Sequence, residues 1–149
     1  MDVKQGIFRE YDVRGVFPVE INRDVAYAVG RAFAVMLQRT LQQPQLWVSV
    51  GMDVRRSSPD IKAGMVEGLI DGGVNVLDIG VVPTPVLYFS LFQPVVDNRR
   101  PDGGVMITAS HNPPEFNGIK LCIGPNALYG ERIQDLYRTV SSEDYGRAT

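Results

Sequence analysis

Apolar residues recur along the chain at two periods, and the changes between them divide it into strands and helices. Ile21, Val25, Val29, Phe33, Met36 and Leu37 return every three or four residues around Asn22, whose side chain suits a helix N-cap. A long amphipathic helix is predicted there, ending before Gln42-Gln43-Pro44. Leu46 to Asp53 is an apolar run of strand length. Ser58 as N-cap and Pro59 in the first turn open a second helix along Ile61, Met65, Leu69 and Ile70, closed by Gly72-Gly73. Val74 to Val81 predicts another strand, and Thr84-Pro85 starts a short helix through Leu87, Leu91 and Phe92. Val105 to Ile107 reads as a short buried strand. Asn117-Gly118 predicts a turn, after which Ile119 to Ile123 returns as a strand. Tyr129, Ile133, Leu136, Tyr137 and Val140 mark a last helix.

Strands alternating with helices predict an α/β domain over residues 1–140 with a mixed, mostly parallel four-stranded sheet. Its one antiparallel strand, after Asn117-Gly118, is expected at an edge. The opening Ile7 to Gly15 interleaves charges with apolar residues and suits an extended segment, either a solvated edge strand or an anion site built on Arg9 and Arg14. Residues 141–149 are polar and small, as in a linker or frayed tail.

Composition narrows the function classes. A chain of 149 residues has room for one proper core. A net charge of −2 without a basic block argues against a nucleic-acid surface. No apolar run approaches the ~18 residues of a membrane span, and the start, Met1-Asp2-Val3-Lys4, lacks a secretory leader, so a cytoplasmic location is expected. Cys122, the single cysteine, excludes an internal disulfide and reads as a small buried hydrophobe.

The chemistry concentrates after the Val105–Ile107 strand, in Thr108-Ala109-Ser110-His111-Asn112-Pro113-Pro114. Ser110 stands at the carboxyl end of a strand, where open α/β sheets bind ligands, and the only histidine is its neighbour. Residue types alone leave two readings open: a displayed nucleophile, or a turn made by Ser, Asn and Pro. Lys120, on the returning strand, would fold back near this loop. Asp53, Arg55 and Arg56 lie at a strand-to-helix junction, where polar groups serve function or only cap and pair.

Two stretches together resemble the amino-terminal domain of the α-D-phosphohexomutases. Phe8-Arg9-Glu10-Tyr11-Asp12-Val13-Arg14-Gly15 is similar to the opening of the bacterial phosphomannomutase/phosphoglucomutase branch. It differs from the Gly-Thr-Asp-Gly type of opening in phosphoglucosamine mutases. Thr108 to Pro113, with Asn117-Gly118-Ile119-Lys120, is similar to the family's phosphoserine loop and its sequel. Gly51 to Pro59 and Pro83-Thr84-Pro85 match as well, so the likeness covers essentially the whole chain.

The resemblance implies a three-layer α/β/α fold and a reversible isomerase. Phosphorylated Ser110 would pass its phosphoryl group to a hexose 1-phosphate of mannose or glucose, the bisphosphate would reorient, and Ser110 would be rephosphorylated as hexose 6-phosphate leaves. Hexose 1,6-bisphosphate would act as activator. Carried over residue by residue, Ser110, His111, Arg14 and Lys120 are the catalytic candidates. Tyr11 and Asn112 are substrate-binding candidates, and Arg9 is expected in structural pairs. Mg²⁺ would sit on the Ser110 phosphate and on a loop of three aspartates in a second domain. That loop, the sugar-selecting motif of a third domain and the phosphate loop of a fourth do not occur in these 149 residues. The expected partners are therefore hexose phosphate and the remaining domains, with 141–149 beginning a linker to the second and the single domain inert by itself. Readings from other classes are a noncatalytic phosphosugar-binding or regulatory module, or a structural domain in which Ser110 has no role.

Overall fold

The computed structural model describes residues 1–146. After a 3-10 turn over Gln5–Ile7 the elements run β1 (Val13–Val16), α1 (Arg23–Leu41), β2 (Trp47–Met52), α2 (Ser58–Asp71), β3 (Asn75–Val81), α3 (Thr84–Ser90), β4 (Gly103–Ile107), β5 (Phe116–Ile123), β6 (Asn126–Ala127) and α4 (Glu131–Ser142). One sheet holds all the strands in the order β1-β5-β4-β2-β3, with β6 on the far part of β5.

The sheet has six strands rather than the expected four, because Val13–Val16 and Asn126–Ala127 also join it. Both additions pair with β5, so the strand expected at an edge lies inside, between β4 and β1. Parallel pairing is confined to β2–β3 and β2–β4; the pairs made by β5 with β1, β4 and β6 are all antiparallel. The extended opening segment was legible, but short four- and two-residue strands have too little pattern of their own to declare a partner.

Asn117-Gly118 makes no turn. Both residues lie in β5, opposite Gly15 and Arg14 of β1. The reason is local crowding: a Cβ on Gly118 would stand 2.8 Å from the carbonyl oxygens of both Thr108 and Val13. Glycine is needed there for close approach of flanking backbones, a use that the dipeptide shares with tight turns.

Crossover sense places the helices. β2–α2–β3 steps one way across the sheet and β3–α3–β4 steps back, so right-handed connections put α2 and α3 on opposite faces. α1 packs on α2 and α4, giving one thick layer. The main core lies between it and the sheet, around Phe33, Leu37, Val48, Val50, Met65, Leu69, Val105, Ile107 and Ile119. On the other face α3 packs against β2 and β4, with Leu87 and Leu91 buried beside Gly104 and with Met106 and Cys122 also buried. The result is the expected three-layer α/β/α class.

Helix starts keep close to the sequence pattern. Asn22 Oδ1 accepts the Val25 N–H at 2.9 Å and opens α1. α2 is shifted by one: Ser57 takes the N-cap position, and Ser58, the expected cap, starts the helix and turns its hydroxyl to Asp53. Tyr129 lies outside α4 and is exposed. Beyond Val140, α4 continues to Ser142 and Tyr145 packs against the core, with the Arg31 guanidinium 4.9 Å from its ring centroid. Of the expected linker at 141–149, residues 147–149 lie outside the described residues.

Candidate active site

The site forms at the carboxyl ends of β2 and β4, where both strands stop and their successors turn away. β4 is buried throughout and delivers Thr108 and Ala109, also buried, to the rim; Ser110 is the first exposed residue. Ser110 takes a left-handed φ of 55°, which costs an L-residue with a side chain roughly 1–2 kcal/mol. Its N–H donates to Thr108 Oγ1 at 3.1 Å, and the Asn112 N–H donates to Ala109 O at 3.1 Å, closing the loop.

β1 brings Arg14 to this loop. Arg14 pairs with Gly118 and projects from the α3 face of the sheet. Its Nη1 donates to Asn112 Oδ1, while Nη2 and Nε donate to Asp12 Oδ2 at 2.6 and 3.0 Å. Asp12 is almost fully buried, so this pair is shielded and Arg14 reaches the site with its charge largely offset. Lys120 stands opposite Met106 on the same face, half-buried, and its ammonium has no acceptor among the described residues. Cys122, two residues on, has its thiol pushed up to about 11 by burial, with the Lys120 charge pulling weakly the other way; it stays a neutral packing group.

His111 is exposed and makes no side-chain hydrogen bond among the described residues. Tyr11 is 71% exposed, in the bend before β1. The structure therefore ties Arg14 and Asn112 directly to the Ser110 loop, places Lys120 on the face below it, and leaves Tyr11 and His111 as free surface groups. Arg9, expected in structural pairs, makes no ion pair among the described residues.

The residues that sequence reading left undecided prove central. Arg55 runs under the loop, its guanidinium bonded to backbone carbonyls of 110–116 and its Nε 3.2 Å from Asp53 Oδ2. Asp53 Oδ1 accepts from the Arg55 N–H at 3.0 Å and from the Ser58 hydroxyl. Asn117, fully buried, donates to Ser57 Oγ at 2.7 Å and Ser58 Oγ at 3.0 Å. A buried polar net thus joins the β2–α2 junction to both ends of the Ser110 loop. The available signal was a strand ending in Asp53 with Arg55 and Ser57-Ser58 directly after it; its partners, sixty residues distant, carry no local mark.

The family model described as "Phosphoglucomutase/phosphomannomutase, alpha/beta/alpha domain I" matches residues 5–146. The chain belongs to this family. It is 36% identical over 144 residues to a phosphoglucomutase of Neisseria meningitidis, covering 97% of this chain and 30% of that protein. It is 39% identical over 138 residues to a phosphomannomutase/phosphoglucomutase of Pseudomonas aeruginosa, covering 93% and 28%. A crystal structure of a phosphoglucomutase/phosphomannomutase family protein from Burkholderia thailandensis superposes with a TM-score of 0.91 at 36% identity, over 99% of this chain and 32% of that one. The chain thus spans about three-tenths of the length of these relatives and corresponds to domain I. As their names state, the relatives are mutases, a class of isomerase, and the resemblance drawn from the two motifs holds.

Metal ligation does not fit this domain alone. Mg²⁺ takes near-octahedral oxygen ligation, usually including carboxylate or phosphate. Among the described residues no group of three or more His, Cys, Asp or Glu is arranged to hold an ion. Asp12 is committed to Arg14 and Asp53 to Arg55 and Ser58, while Glu115, within the loop, is exposed. Ser110 would offer a single oxygen. Also among the described residues, no helix is long and apolar enough to cross a membrane.

Proposed function

We propose that this chain is the nucleophile-bearing domain of a phosphomannomutase/phosphoglucomutase, with Ser110 the residue that carries the phosphoryl group. The observation that carries the reading is the exposed, left-handed Ser110 at the end of a fully buried strand, with Arg14 anchored to its loop and the unpaired Lys120 on the face below. Phosphoryl transfer demands positioning and charge neutralisation more than covalent chemistry by the protein. In the forward step a sugar hydroxyl oxygen forms the new bond to phosphorus while the bond from phosphorus to Ser110 Oγ breaks. The hydroxyl gives up its proton and Ser110 Oγ regains one; the return step runs the same exchange from the other end of the bisphosphate. Arg14 and Lys120 stabilise the charge on the transferring group, His111 and Asn112 hydrogen-bond near it, and Tyr11 lines the sugar side.

Charge balance supports a site shared with other parts of a longer polypeptide. A phosphoserine carries about −1.5 to −2 charges at neutral pH. Arg14 and Arg55 are each paired with an aspartate, so neither brings a full net charge to it. Further cations, Mg²⁺ with ligands from outside these residues among them, complete the site, and the single domain has negligible mutase activity. The linker to those domains begins after α4.

The test is intact mass and peptide mapping before and after incubation with hexose 1,6-bisphosphate and Mg²⁺, on this chain and on Ser110→Ala. One added phosphoryl group, mapped to Ser110 and absent from the variant, is expected. Phosphorylation elsewhere, or none, refutes Ser110 as acceptor.

A further inference from the structure

We infer that Arg55 is a positioning residue, the internal frame on which the Ser110 loop is wound and by which the Ser110 hydroxyl is aimed. The inference rests on the reading of Ser110 as phosphoryl acceptor. Arg55 Nη1 donates to Pro113 O at 2.7 Å and Phe116 O at 3.2 Å; Nη2 donates to Asn112 O at 2.7 Å and Ser110 O at 3.0 Å. All four terminal N–H groups are thus directed to loop carbonyls, and Nε lies 3.2 Å from Asp53 Oδ2 in an ion pair. The fork of terminal nitrogens is used up on the loop, so Arg55 acts through the loop rather than on the reacting group.

The geometry gives this one side chain unusual leverage. The loop is short, contains two prolines that cannot donate backbone hydrogen bonds, and has only a few backbone bonds of its own. Its carbonyls instead converge on one planar cation, and one of the four belongs to Ser110 itself. Turning the carbonyls inward leaves the His111 N–H, next to Ser110, without an acceptor among the described residues, free to donate to an anion held by the serine. The strain of the left-handed Ser110 is held by the same contacts. Arg55 is fixed from below by Asp53, which Ser58 and the Arg55 N–H in turn hold, so the aim of Ser110 is set by the β2–α2 junction.

Lysine cannot replace it. An ammonium is a point charge without the rigid fork, and its three donors cannot serve four carbonyls. The decisive comparison is parent against Arg55→Lys, with Arg55→Ala tested with and without free guanidinium ion. Three quantities are read: the rate of Ser110 phosphorylation against hexose 1,6-bisphosphate concentration, amide hydrogen exchange over 110–116, and thermal unfolding. Misplacement by an ångström costs about 10²-fold in rate. Arg55→Lys is expected to lose about that factor in maximal rate, with half-saturation essentially unchanged and exchange accelerated over 110–116. Guanidinium ion should restore part of the Arg55→Ala rate. A parental maximal rate in Arg55→Lys, or a loss confined to half-saturation, overturns the inference, the latter by making Arg55 a direct substrate contact. If the parent itself takes up no phosphoryl group, it is the reading of Ser110 that fails. Exchange then still decides the loop: parental exchange over 110–116 in Arg55→Lys refutes the frame.

Discussion

The seam between α1 and α2 makes a demanding prediction. Gly30 of α1 faces Gly68 of α2, Gly64 of α2 faces Arg23 at the start of α1, and the two backbones nearly touch. A Cβ built on Gly68 would lie 2.2 Å from the Tyr27 carbonyl oxygen, and one on Gly64 would lie 2.1 Å from the Arg23 carbonyl oxygen. A relaxed contact needs about 3.5 Å, so Gly68→Ala must part the helices by more than about 1 Å. Both sides are backbone, and no rotamer change relieves the clash. Overpacking of this kind costs about 1–3 kcal/mol, and a backbone collision belongs near the top of that range. Alanine's higher helix propensity returns about 1 kcal/mol, so the net loss is about 2 kcal/mol. In a domain of this size that lowers the midpoint by about 4–8 °C. The assay is thermal unfolding by circular dichroism of parent, Gly68→Ala and Gly6→Ala. Gly6 is the control, since nothing lies within 4 Å of its built Cβ. Gly68→Ala melting at or above the parent would refute the reasoning, because propensity would then outweigh the contact.

Lys120→Met keeps the stem and removes the unpaired charge, so Ser110 phosphorylation by hexose bisphosphate should fall about 10²-fold while stability changes by less than about 0.5 kcal/mol; parental phosphorylation would remove Lys120 from the site. Asn117→Ala strips the donor shared by Ser57 and Ser58 in a fully buried position and should cost about 2–3 kcal/mol in urea unfolding, whereas a change under about 0.5 kcal/mol would show the net to be dispensable. Cys122 should react with Ellman's reagent at pH 8 only as fast as the chain opens, because burial keeps its thiol protonated to about pH 11. The folded state holds that proton more tightly than the unfolded chain does, so the contribution to stability is full below the ordinary thiol value of 9.0 and is lost as pH rises toward about 11. Cys122→Ala should flatten that alkaline decline; an unchanged slope would assign it to other groups.

Much of this protein is legible from local pattern. Asn22 caps α1 as its side chain predicts, and the stripes of Val25, Val29, Phe33 and of Ile61, Met65, Leu69 face the core that their spacing implies. Ser110 was also visible, since a strand that stops at small polar residues and prolines must display the residue at its end. These features depend on neighbours within about one helical turn or one strand pair, and such distances are written into residue order.

The hidden features depend on distant chain segments. Asn117-Gly118 carries the same two letters whether it turns a hairpin or lets two backbones pass, and only Thr108 and Val13 on either side choose the second. Nothing in the local order marks Gly64 and Gly68 as the seam on which α1 lies. Arg55 could have been a solvated charge, a helix-start partner or a ligand contact. Its guanidinium became the frame of the Ser110 loop because the sheet order sets β2 beside β4, bringing together residues nearly sixty positions apart. Residue order by itself determined the helices, the longer strands and the displayed serine, because short-range sterics and periodicity set them. Tertiary structure alone decided how that serine is held, because a hydrogen bond between distant residues exists only once the fold has brought them together.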